Sequence, residues 1–245
     1  MGYYSNYLNI CQEAITDRNM FQNYRRQKSI KGVVETLGMH QGYNFILEIE
    51  KEYPYLLKHL KKFATSDSLG NPKMYYYDKI KMHIAPTTLR YIKVLGELLS
   101  IFGSLDDMNI VEIGVGYGGQ CKIIHDWCHP KSYTIVDFPN VLRLSQKFLS
   151  QFGITVTLRG IFDESKIDYD LCISNYAFSE IEKSYQEFYN KYIIQNSLKG
   201  YMICNCLSDS DNGKLTRMEI LSLKNGEFLP EKPMTADTNA LYVWK

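Results

Sequence analysis

From residue 109 onward the chain alternates short β-branched runs with helical segments, and the first run breaks into glycines. Strands are predicted at 109–115, 133–137, 154–158, 169–175, 198–207 and 239–244, and helices at 120–128, 141–152, 181–195 and 214–223. Strands separated by helix-length connections pair in parallel, and the helices then cover both faces of the sheet. The expected class is therefore α/β. At 245 residues there is room for one large domain, or for a core domain with an appendage.

Residues 1–105 read differently. Segment 41–63 mixes Phe45, Ile46, Ile49, Leu56, Leu57 and Leu60 with Glu and Lys at a helical period. Ser66-Asp67-Ser68-Leu69-Gly70-Asn71-Pro72 is a turn cluster, and the aromatic stretch Tyr75-Tyr76-Tyr77 follows. Pro86-Thr87-Thr88 is expected to open a helix, with Thr supplying the capping oxygen and Leu89, Ile92, Leu95, Leu98 and Leu99 the apolar face. Charge divides at the same seam: residues 1–105 carry 14 basic and 9 acidic side chains, residues 106–245 carry 14 and 18. The expected organisation is a helical region over 1–105 followed by an α/β domain over 106–245.

The overall net charge of +1 argues against a protein that binds nucleic acid by blanketing phosphates. No run approaches about 18 consecutive apolar residues, so no membrane span is expected. The first residues show no basic stretch leading into an apolar one, so no secretory signal is read there. Six cysteines, at 11, 121, 128, 172, 204 and 206, fall mostly in core-like segments and read as reduced thiols of a cytoplasmic protein.

The sharpest local signal is Val111-Glu112-Ile113-Gly114-Val115-Gly116-Tyr117-Gly118-Gly119-Gln120, placed where a strand turns into a helix. Glycines at 114, 116 and 119 allow a tight bend and a close approach of a ligand to the backbone. That spacing alone fits nicotinamide enzymes, flavoproteins and methyltransferases. Glu112 favours a cationic ligand over a pyrophosphate, because like charges repel. Asp137 ends the next strand and is placed to accept hydrogen bonds from two ribose hydroxyls. On local rules it also suits a helix N-cap, since Pro139 follows, and the two roles are compatible. Gly160, Ile161 and Phe162, after the third strand, are placed to meet an adenine, and Phe138 to pack on its ring. Ser174, Asn175 and Tyr176 end the fourth strand, beside the glycine loop in a doubly wound sheet.

These pieces together resemble the class I S-adenosylmethionine (SAM) dependent methyltransferases. More narrowly, they resemble a bacterial sugar O-methyltransferase family. The resemblance rests on Ala85-Pro86-Thr87-Thr88-Leu89-Arg90-Tyr91, on the glycine string, on Val136-Asp137-Phe138-Pro139 and on Ile173-Ser174-Asn175-Tyr176-Ala177-Phe178-Ser179-Glu180. It covers residues 65–245, and Gly70-Asn71-Pro72 and Leu241-Tyr242-Val243-Trp244 also fit. It implies a Rossmann-like seven-stranded sheet with an N-terminal helical extension acting as a lid and a possible homodimer contact. It implies SAM as methyl donor, S-adenosylhomocysteine as product, and a sugar hydroxyl as acceptor. A nucleotide-linked or surface-glycan precursor, in capsule or lipopolysaccharide biosynthesis, is the implied setting. Methylation of an oxygen in a phosphorus-containing capsule modification, or of a natural product, keeps the chemistry and changes the acceptor. An NAD(P)-dependent oxidoreductase and a non-catalytic SAM-binding protein are the contrasting readings. No Asn/Asp-Pro-Pro-Tyr string follows the fourth strand, which counts against amino methylation of nucleic-acid bases.

Methyl transfer to a hydroxyl needs alignment, exclusion of water and a base for the departing proton. Glu180, a few residues beyond the fourth strand, is one candidate base; a helix-terminal glutamate is its plain structural reading. His83 is the second, since an imidazole titrates near neutrality. Tyr176 and Tyr77 are candidates to line the acceptor pocket. Thr88 and Arg90 belong to the block that the resemblance sets against the donor, with Arg90 available to a carboxylate or phosphate. Cys121, His125, Cys128 and His129 share one predicted helix, a poor source of all ligands for one metal, and Asp209, Asp211 and Asn212 read as a polar loop. No metal is expected.

Overall fold

A computed structural model describes residues 2–205, 207, 210 and 212–245. Cys206, Asp209 and Asp211, considered above, lie outside the described residues. The chain forms two compact units that interleave along the sequence. Unit 1 takes residues 1–103, 116–128 and 139–155; unit 2 takes 104–115, 129–138 and 156–245.

Unit 1 is mainly helical. Its helices are α1 (Gly2–Thr16), α2 (Arg18–Asn23), α3 (Lys28–Val33), α4 (Met39–Glu52), α5 (Leu60–Phe63), α6 (Pro86–Phe102), α7 (Gly119–Trp127) and α8 (Pro139–Ser150). Packing runs α1 on α8, α4 on α6 and α6 on α7. The helix expected over 41–63 is interrupted. α4 ends at Glu52, and Pro54, which lacks an N–H, opens a 3-10 turn Pro54–His59 instead. Tyr75–Tyr77 is strand β1, which pairs antiparallel with β2 (Met82–Ile84). Helix α6 begins at Pro86 as expected, but no threonine caps it. Its N-cap is Ala85, whose N–H donates to Asp67 Oδ2 at 2.8 Å, while Thr88 Oγ1 donates to Asp67 Oδ1 at 2.6 Å. One buried carboxylate, 18 residues upstream, organises the helix start.

Unit 2 holds a seven-stranded sheet in the order β5-β4-β3-β6-β7-β9-β8. The strands are β3 (Asn109–Ile113), β4 (Ser132–Val136), β5 (Thr157–Arg159), β6 (Tyr169–Asn175), β7 (Ser197–Cys204), β8 (Glu227–Pro230) and β9 (Ala240–Trp244). β3 to β7 are parallel, whereas β9 runs antiparallel to both β7 and β8. The sheet is thus Rossmann-like but mixed, not parallel throughout. β8 corresponds to none of the predicted strands, because it is an edge strand ending in Pro230 and only partly buried. Helices α9 (Ala177–Glu180), α10 (Lys183–Tyr192) and α11 (Arg217–Leu221) complete the unit. Its core joins Val111, Ile113 and Cys172 of the inner strands to Phe178, Tyr189 and Ile220 of the helices. Among the described residues no helix is long and apolar enough to cross a membrane.

Candidate active site

The sheet order places β3 and β6 side by side, although the chain visits β4 and β5 between them. Such a switch point leaves a crevice at the carboxyl ends of the two strands, where α/β sheets bind ligands. Glu112, Gly114, Asp137, Phe138, Ser174, Asn175 and Tyr176 all lie at or just beyond those ends of β3, β4 and β6.

The end of β3 is built around Gly114. Its φ of 76° suits glycine, and a Cβ there would stand 2.0 Å from the Cβ of Ala177. Its N–H donates to Val136 O at 2.9 Å, which brings Asp137 beside the turn. Asp137 is half-buried, and its Oδ1 accepts the Phe138 N–H at 2.8 Å. Glu112 is 2% exposed and accepts a hydrogen bond from Tyr133 Oη at 2.8 Å. Burial pushes its carboxyl up to about 8, opposed by the Tyr133 hydrogen bond and reinforced by the charge of Asp137. The group expected as a carboxylate is therefore held largely as the neutral acid near pH 7.

Ser174 is wholly buried. Its Oγ donates to Ile113 O at 3.0 Å and accepts the Phe178 N–H at 3.1 Å, so the side chain joins β3 to the start of α9. Tyr176 follows with φ 70° and ψ −31°, a backbone state seldom adopted by a residue with a Cβ. Its N–H donates to Ile203 O at 2.7 Å, and its Oη donates to Glu231 Oε1. Glu231 is 4% exposed; its Oε2 also accepts from Thr235 N and Oγ1 and from Asn239 Nδ2. Glu180 is exposed, and its Oε1 accepts from Asn205 Nδ2 at 2.5 Å. Ser179 Oγ stands 2.8 Å from Asn205 Oδ1, so Glu180, Asn205 and Ser179 form one polar cluster next to Tyr176.

The segment after β5 is shaped by Arg159, buried to 2% exposure. Its Nη2 donates to Asp163 O at 2.9 Å, to Ser165 O at 2.5 Å and to Tyr192 O at 3.3 Å. This fixes the turn that carries Gly160, Ile161 and Phe162. Ile161 packs against the core, whereas Phe162 is 63% exposed and stacks on Tyr185 with ring centroids 5.3 Å apart.

The other candidates belong to unit 1. Gly116 has φ 58°, and its carbonyl accepts from Ser145 Oγ at 2.7 Å. Tyr117 is 2% exposed, and its ring faces the Arg25 guanidinium at 4.6 Å. Thr88 spends its hydroxyl on Asp67, and Arg90 Nη2 reaches Val34 O at 3.4 Å. Tyr77 donates to Met39 O at 3.2 Å and, being buried, is pushed up to about 12. His83 is exposed on β2 and pairs its ring with Tyr76 at 5.1 Å. Cys121 and His125 lie close, with Sγ and Nδ1 3.5 Å apart, yet among the described residues no group of three or more His, Cys, Asp or Glu could hold a metal ion. The five described cysteines are buried, and none forms a disulfide with another described residue.

Sequence reasoning missed Glu231, Asn205, Arg159 and Asp67. Glu231 lies 55 residues from Tyr176 in a polar loop, and no spacing rule links them. Arg159 carries a signal in retrospect: an arginine ending a parallel strand is buried and must find carbonyls.

No protein-family model and no curated protein matches the chain. Among solved structures, a Thermoplasma acidophilum protein aligns with a TM-score of 0.44 and 16% identity, over 64% of this chain and 86% of that one. The magnesium protoporphyrin IX methyltransferase of Synechocystis PCC 6803, solved with bound SAM, aligns at 0.49 and 8% identity, over 63% and 76%. A mitomycin 7-O-methyltransferase aligns at 0.42 and 14% identity, over 63% and 56%.

Proposed function

We propose that the chain is a SAM-dependent O-methyltransferase whose acceptor is a sugar hydroxyl of a nucleotide-linked or surface-glycan precursor. The observation that carries this reading is the pairing at the switch point: Gly114, at φ 76°, hydrogen-bonds to the carbonyl just before Asp137, with Glu112 buried behind. An acid at the end of β4 suits a ribose, and an acid within β3 suits an ammonium group. The donor set fits SAM better than a dinucleotide: Glu112 can ionise beside an ammonium group, whereas a pyrophosphate would meet Asp137 as a like charge and would hold Glu112 in its neutral form. SAM, when bound, supplies a methyl group on a sulfonium that needs no further activation.

The chain's own residues then have three tasks. Glu112, Gly114 and Asp137 hold the donor, with Phe138 and the Arg159-braced turn at Gly160, Ile161 and Phe162 available to its base. The end of β6 receives the acceptor, with Tyr176 and Glu180 flanking it. A proton must leave the acceptor oxygen as the C–O bond forms. Tyr176 Oη takes it while passing its own proton to Glu231, so the buried carboxylate ends protonated and the phenol is restored.

Calorimetric titration with SAM, S-adenosylhomocysteine and NAD(H) tests the donor. Micromolar SAM binding without NAD(H) binding is expected. Glu112 is mostly protonated in the free protein near pH 7 and ionises beside the SAM ammonium. SAM binding should therefore release about one proton, read from buffers of differing ionisation enthalpy, and tighten as pH rises toward about 8. Binding of NAD(H) instead of SAM would overturn the reading.

A further inference from the structure

Unit 1 contains a cavity that the donor and acceptor tasks above leave unused. Its volume is about 190 Å³, and Arg25, Lys31, Glu35, Leu37 and Lys73 line it. Arg25 sits in the 3-10 turn Tyr24–Arg26 and is wholly buried. Its Nε donates to Glu35 Oε1 at 2.5 Å, and its Nη1 to Asp67 Oδ1 and Ser66 O, both at 3.2 Å. Its Nη2, equally buried, has no hydrogen-bond partner among the described residues. The phenol oxygens of Tyr24 and Tyr117 are in the same condition. Their rings stand 6.0 Å apart, and the Tyr117 ring lies 4.6 Å from the guanidinium carbon. Buried donors are nearly always paired, so the unused Nη2 of Arg25, a residue that lines this cavity, marks a place where a partner is missing.

Charge identifies that partner's class. Glu35 and Asp67 together offset Arg25 and one lysine, which leaves one positive charge over. Lys31 and Lys73 are exposed and have no carboxylate partner among the described residues; Lys73 Nζ rests 4.8 Å from the Tyr75 ring. Spare donors and surplus positive charge select an oxyanion. Phosphate suits it better than carboxylate, because several oxygens can meet a guanidinium and two ammonium groups at once.

We propose that this cavity is an oxyanion site for the phosphate or diphosphate group of a phosphorylated ligand, with Arg25 as its inner cation and Lys31 and Lys73 as its outer ones. The site rests on unit 1's residues alone and holds whether or not the chain transfers methyl groups.

The test is calorimetric titration of the full chain with sodium pyrophosphate and, separately, uridine diphosphate. It is run on the wild type and on the double variant Lys31→Ala/Lys73→Ala. Both lysines are exposed, so the variant keeps its fold, checked by its melting curve. Saturable 1:1 pyrophosphate binding, weakened about tenfold or more in the variant and by added salt, is expected. SAM affinity should be unchanged by the double substitution. Uridine diphosphate binding more tightly than pyrophosphate would identify a nucleotide as the source of the anion; equal binding would identify the phosphate group alone. The proposal is overturned if the wild type shows no saturable pyrophosphate binding, if the variant binds it equally well, or if SAM displaces it one for one.

Discussion

Tyr176 occupies a backbone state that costs a side-chain-bearing residue about 1–3 kcal/mol, and it does so where β6 ends at the switch point. Such strain persists only where neighbours over-determine it. Here the Ile203 carbonyl holds the backbone and Glu231 holds the phenol. The position of Tyr176 just past the carboxyl end of β6 was legible in sequence, because it directly follows the predicted fourth strand. Its partner was not, because Glu231 is brought in by the β8–β9 connection and carries no motif. If the pair moves a proton, Tyr176→Phe and Glu231→Gln should each lower turnover by about 100-fold. SAM affinity should stay within about twofold of wild type in both, by calorimetry. The acceptor used would be one found by screening nucleotide sugars. A Glu231→Gln variant with wild-type turnover and pH profile would remove Glu231 from the proton path. Glu180 would then be the remaining base at that strand end.

At the scale of elements, β6 was predicted to the residue, 169–175, because its apolar centre Leu171-Cys172-Ile173 follows an acidic segment and runs into the polar Ser174-Asn175. Edges were harder. The break between α4 and the turn at Pro54 lies inside an apolar pattern that continues past it, so periodicity alone runs through the proline. The start of α6 was read correctly from Pro86, but its stabilisation was assigned to the wrong residue. The carboxylate that serves it, Asp67, also accepts from Thr88 and pairs with the buried Arg25. Such tertiary capping leaves no local signature. Asp67→Asn should therefore cost more than a lost cap, since it leaves Arg25 with Glu35 as its only carboxylate. Removing one partner of a buried ion pair costs about 3–5 kcal/mol, against about 1 kcal/mol for an ordinary cap. Urea unfolding of Asp67→Asn should show a loss near the larger value; a loss near the smaller would mean that Arg25 does not depend on this pair.

For the whole molecule, sequence patterning places a seam near residue 105, where charge and periodicity both change. The compact units interleave instead, because α7 and α8 pack with residues from the first hundred. Lys147, on α8, donates to the carbonyls of Ala14 and Ile15 at 2.9 and 2.8 Å. Gln120, on α7, donates to Tyr91 O at 3.2 Å, and the nearly buried Lys122 reaches Thr65 Oγ1 at 2.6 Å. None of these partners is near in sequence, so no local pattern could disclose them. They also decide how the chain can be divided. A fragment of residues 106–245 would keep all seven strands but strip α7 of its packing on α6 and α8 of its packing on α1. Each apolar side chain stripped of its cover forfeits about 1.5–3 kcal/mol, so losing a few exceeds much of the margin that holds a domain folded. Expressed alone, the fragment should therefore show no cooperative thermal transition, and co-expression with residues 1–105 should restore one. A sharp melting curve for 106–245 by itself would mean that the sheet and its connections fold autonomously, and that the first hundred residues are an appendage rather than half of a core.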